Sequence, residues 1–199
     1  MKARIAILAC AALLAAPALA APQPLLNPSI VPPAVPVNIQ APADVRPFLQ
    51  GHAVGTQNYI CLPSGSGFSW ALFGPQATLF TSADEQIVTH FLSANPDEAG
   101  TPRPTWQSSR DTSAVWGLAI GASSDSDYVA PGAIPWVLLS VEGRRDGPTG
   151  GNKLTAATHI HRVNTSGGVA PEEGCAQASD VGVRALVPYS ADYFFYTNK

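Results

Sequence analysis

Nine short apolar runs, each bounded by Gly, Pro or polar turn formers and none carrying a sustained helical period, leave this chain few folds to choose from. They cover residues 57–62, 68–73, 77–80, 86–92, 105–108, 115–120, 136–141, 154–163 and 183–196. Phe68, Trp70 and Leu72 alternate with Ser69 and Ala71, and Ala191, Tyr193 and Phe195 flank Asp192 with the same period of two. That is the pattern of half-buried strands. The 82–85 stretch has capping-box spacing, but β-branched residues follow it at once, so a hairpin turn is expected there. A second short helical turn is expected around 172–179. The predicted fold is all-β: a single antiparallel β-sandwich or distorted β-barrel with few short helical turns.

The N-terminus reads differently. Lys2 and Arg4 precede an apolar run over 5–16, and Ala18-Leu19-Ala20 offers small residues at alternate positions, so 1–20 reads as a signal peptide cleaved after Ala20. Residues 21–47 carry eight prolines and are expected to form an extended arm, with Ile30, Val35, Val37 and Ile39 apolar enough to settle in a groove. Residues 48–199 are left as one β-rich domain. No later stretch is apolar for the length a membrane helix needs. The protein is therefore expected to be secreted or periplasmic, with no transmembrane segment. Of the 11 basic residues, Lys2 and Arg4 lie in the leader, so nine remain against 14 acidic ones. This balance speaks against nucleic acid as a partner.

The leader also removes Cys10. Cys61 and Cys175 then remain in an oxidising compartment, where an even pair is expected to join as a disulfide.

Chemistry-bearing residues are sparse. Trp106 lies between Pro104 and a polar run and is placed to line a pocket with His90 from the preceding run. Arg162 has the planar fork that recognises a carboxylate, or it braces the fold by pairing with Asp180 or Asp192, while Asn164 bonds loop backbone. His159 and His161, two apart on one strand, project from one face and form a low-ranking alternative as metal ligands, with His90 or Asp111 as a third. No complete ligand set is present, so no metal and no cofactor is expected. Ser66 and Ser69 lack the strand-to-helix setting of an activated nucleophile.

The stretch from Thr158 through His159-Ile160-His161-Arg162-Val163-Asn164-Thr165-Ser166-Gly167-Gly168 to Pro171, then Cys175 and 187–196, resembles the signature of domain of unknown function 3455. Residues 55–61, 104–106, 111–117 and 134–139 are similar to the remaining blocks of that family. The resemblance implies no agreed activity. Some fungal members carry a malate dehydrogenase label, but this chain has no Gly-rich dinucleotide fingerprint and no strand–long-helix alternation, so an NAD-dependent malate dehydrogenase is rejected. Two positions depart from the family pattern: Thr112 stands where Gly is expected, and His161 where Gln is usual.

The reading is a non-catalytic module that binds a surface, glycan or protein ligand. Its alternative is a small extracellular hydrolase or metalloenzyme with a site near His90, Trp106, Asp111, His159 and His161.

Overall fold

A computed structural model describes residues 29–199; the expected signal peptide and the first residues of the expected arm lie outside them. Eight antiparallel strands follow one another around a closed barrel: β1 (Val45–Ser64), β2 (Gly67–Phe80), β3 (Gln86–Asn95), β4 (Thr101–Ser108), β5 (Ala114–Ser123), β6 (Trp136–Arg145), β7 (His159–Gly167) and β8 (Arg184–Asn198). Each strand pairs with its neighbours in sequence, and β8 returns to pair with β1 from Val45↔Asn198 to Ile60↔Arg184. Closure gives every described strand a partner on both sides, over only three residue pairs between β4 and β5. Of the two expected architectures, the barrel is the one formed.

The strands follow the alternation read from sequence, with differences that have local causes. The runs 68–73 and 77–80 are one strand, β2, interrupted by a register shift opposite Asn58 and Tyr59. β1 starts at Val45, well before its apolar run. Residues 154–158 form turns rather than strand, because Leu154 and Ala157 fold inward to plug one end of the barrel. The 82–85 stretch is a turn, as expected. Around 172–179 the chain makes bends, with a single 3-10 turn at Ala178–Asp180 whose carboxylate accepts from the Ala176 and Gln177 amides.

Side chains of alternate residues fill two layers. Inside, Ala53, Leu79, Val88, Trp106, Val115, Leu139, Ile160, Tyr193 and Phe195 make the core. Outside, Trp136, Leu138, Val163, Phe194 and Tyr196 form a second apolar face on β6, β7 and β8, and the arm lies on it. Ile39 is fully buried there and Ile30 and Val35 pack beside it, whereas Val37 points to solvent. A proline-rich segment cannot supply a regular ladder of N–H donors, so side chains secure it: His161 receives Ile39, and Asn38 Nδ2 donates to the Ala122 carbonyl at 2.7 Å.

Candidate functional site

An eight-stranded barrel is just wide enough to be filled by side chains or to hold one small ligand. Here both ends carry a cavity, and the two differ in chemistry.

The first cavity, about 210 Å³, lies toward the end of the barrel that carries the β1–β2 hairpin and is lined from within all eight strands, with Gln57 on β1 and Leu72 and Pro75 on β2. Register puts His90 on β3 directly opposite Trp106 on β4, both inward and both almost fully buried. Their rings stack with centroids 4.3 Å apart and planes 11° apart, and Tyr193 from β8 meets both edge-on, at 5.2 and 5.8 Å. The trio has room because Gly117 on β5 has no side chain: a Cβ there would come within 2.9 Å of the Trp106 ring.

His90 Nδ1 lies 2.8 Å from the Thr105 carbonyl oxygen, which only accepts, so Nδ1 carries the proton. Burial drives the imidazole pKa down to about 3, against the pull of the Thr105 hydrogen bond, with the positive charge of Arg162 adding to the fall. His90 is neutral at physiological pH. Arg162 reaches inward from β7 and donates through Nη2 to the Pro135 carbonyl at 2.9 Å. Its Nε has no protein partner; nor do Trp106 Nε1 and Gln57 Oε1, all three buried and on residues lining this cavity. Leu72, Pro75, Val137 and Leu139 supply apolar wall, and Leu72 and Ala119 are exposed at the mouth.

The second cavity, at the opposite end, is bounded by Phe48, Leu49, Ile87 and Leu154, with Arg110 and Lys153 beside it. Asp111 belongs to this end. Its carboxylate accepts from Ser113 Oγ at 2.7 Å and from the Lys153 amide at 2.8 Å, clasping the plug that carries Leu154. Burial raises its pKa, but these hydrogen bonds outweigh that and hold it at about 2. Grouping Asp111 with His90 and Trp106 is thus corrected: it follows β4, whose two ends open onto opposite mouths of the barrel.

The His pair is also separate from the cavity. β7 alternates with Ile160 and Arg162 inward, so His159 and His161 face out. His161 Nε2 donates to the Ile39 carbonyl at 2.6 Å and Nδ1 accepts from the Tyr196 hydroxyl at 2.8 Å, leaving neither ring nitrogen free. Burial lowers its pKa. Among the described residues no three His, Cys, Asp or Glu side chains converge as a metal site. Asn164 would share Arg162's face in a regular strand, but the ladder slips between Val163 and Ser166 and Asn164 turns to φ 50°. It donates to Asp192 Oδ2 at 2.8 Å instead of bonding loop backbone, and His52 holds Oδ1 at 2.6 Å. Arg162 pairs with neither Asp180 nor Asp192.

The sequence reading missed Gln57 and Tyr193 as cavity residues. The signal was inward parity: Tyr193 shares the period of Ala191 and Phe195, and Gln57 that of Ala53.

Cys61 and Cys175 are placed as a disulfide, their Cα atoms 5.5 Å apart. It ties the β7–β8 connection to the β1–β2 hairpin, beside the hydrogen bond from Trp70 Nε1 to the Glu173 carbonyl.

No curated protein and no solved structure matches the chain. A family model does: it spans residues 42–197, taking in every strand and both cavities, and the chain belongs to the family described as Protein of unknown function (DUF3455).

Proposed function

We propose that this is a non-catalytic binding module that takes a small ligand into the His90–Trp106 cavity. The observation that carries this reading is the set of three unpartnered buried polar atoms, on Gln57, Trp106 and Arg162, around one cavity. Buried polar groups in folded proteins are nearly always paired, because an unpaired one costs about 1–3 kcal/mol. A cavity of apolar wall with a few convergent polar groups is the usual form of a small-molecule site. The hydrolase alternative has less support: no Ser, Thr, Cys, Asp or Glu lines this cavity, and His90, held neutral, is too weak a base to serve one.

The reading places the protein outside the cytoplasm. The Cys61–Cys175 pair is compatible with export, as is the finding that no helix among the described residues is long and apolar enough to cross a membrane.

Saturation-transfer NMR with a library of small fragments tests the binding reading, with Ala119→Trp as a variant that plugs the mouth. Fragments that bind the native protein and lose contact in the variant support it. An absence of hits, or hits indifferent to the plug, would count against it, and turnover abolished by replacing one cavity residue would restore the enzyme alternative.

A further inference from the structure

Resting on the binding reading above, we infer that the ligand is a small organic carboxylate, its apolar body between the walls and its carboxylate on Arg162. Arg162 is the single cationic side chain lining the cavity, and among the described residues it takes part in no ion pair. With the Pro135 carbonyl accepting from Nη2 and the Tyr193 hydroxyl beside the guanidinium, half-buried Arg162 still leaves its buried Nε–H unpaired, at a desolvation cost. An anion entering the cavity would offset it.

The donors narrow the class. Arg162 Nε–H and Trp106 Nε1–H are both unpartnered donors, and the neighbouring His90 is neutral, so it adds no second charge. One fixed positive charge with hydrogen-bond donors suits a monoanion, and the planar guanidinium matches a planar carboxylate. A phosphate, carrying nearly two negative charges, would lack its second cation. Gln57 lies at the same cavity with its amide oxygen unpartnered; a ligand hydroxyl would satisfy it, or the amide turned over would donate to the carboxylate.

Size and wall narrow it further. An engineered apolar cavity of about 150 Å³ accommodates benzene, so about 210 Å³ accommodates a ring or short chain together with a carboxylate. Leu72, Pro75, Val137 and Leu139 give that body an apolar surface.

The test is isothermal titration at neutral pH with two matched pairs, phenylacetate against phenylacetamide and hexanoate against hexanamide. Each pair is close in shape and differs in charge. The native protein is expected to bind each carboxylate at least about tenfold tighter than its amide, the size of one charged hydrogen bond. Arg162→Gln should bring that ratio close to one, and Arg162→Lys, which keeps the charge but not the fork, should fall between. Amides that bind as well as the carboxylates, or a ratio that persists in Arg162→Gln, would overturn the carboxylate assignment and leave the binding reading standing. If none of the four binds native protein the assignment also falls, and the fragment screen separately decides the binding reading. Should the Arg162 variants fail to fold, the ratio in the native protein still decides.

Discussion

The imidazole of His90 lies flat on the indole of Trp106, the two rings 4.3 Å apart on strands that pair them residue to residue. Such a stack is worth about 0.5–1.5 kcal/mol beyond the area it buries. Burial and the neighbouring charge of Arg162, rather than the stack itself, keep the His90 ring neutral.

The first expectation concerns acid. Below the ordinary histidine value of 6.5 the unfolded chain takes up a proton on His90, and the folded barrel refuses it until about pH 3. The unfolded state then binds more protons, so this contribution to stability is present above 6.5 and is lost as pH falls through that window, by up to about 1.4 kcal/mol per pH unit. His159 and His161, also lowered by burial, act in the same direction. Urea unfolding at pH 7 and pH 5 should show the loss, and His90→Phe should make the pH dependence shallower by about one proton. An unchanged slope in that variant would show that His90 titrates normally.

His161 is expected to act as the pin that holds the arm. Gln offers the same pair of functions, an amide N–H for the Ile39 carbonyl and an oxygen for the Tyr196 hydroxyl. His161→Gln should leave the arm docked. His161→Ala should speed limited proteolysis between residues 29 and 44 while the barrel stays resistant; equal cleavage rates in both variants would remove His161 from that role.

Thr112 occupies the left-handed region at φ 60°, in the β4–β5 turn. A β-branched residue there carries about 1–2 kcal/mol of backbone strain. Part of that relief is lost to the greater freedom of Gly in the unfolded chain. Thr112→Gly should therefore stabilise the domain by about 0.5–1 kcal/mol in urea unfolding, and a loss of stability would show that the Thr112 side chain contributes more than its backbone costs.

The disulfide closes a span of 114 residues and braces a rim that the β1–β8 ladder already joins. Cys61→Ala should lower the melting temperature, with a loss of about 2–5 kcal/mol, and leave the fold intact at low temperature. An unchanged melting temperature would mean that the ladder alone sets stability.

Much of this architecture is legible in the sequence, for a physical reason: alternation is a local property and marks the strand containing Tyr193, while Trp106 stands out by the polar run after it and His90 by its place in the preceding apolar run. What depends on distant chain is not. Residues 45–56 of β1 look too rich in Gly, Pro and polar groups for a strand, yet Gly55 is needed because β2 passes so close that a Cβ would overlap Ala77. Which mouth of the barrel Asp111 serves follows from strand direction, and Asn164's turn away from Arg162 follows from a slip in the ladder. Neither leaves a mark on residue spacing.

The most direct measurement of the central claim is the indole region of a 15N–1H correlation spectrum, where the four tryptophans give separate signals. Trp70 and Trp116 donate to Glu173 and Ser93, Trp136 is buried on the outer face among the residues the arm covers, and Trp106 alone presents an unpartnered N–H at the cavity. With Trp106→Phe to assign it, the Trp106 signal should shift as fragments that pass the plug test are added, while the other three hold still. A motionless Trp106 signal, or shifts confined to Trp70 and Trp116, would place binding elsewhere on the molecule and contradict the account.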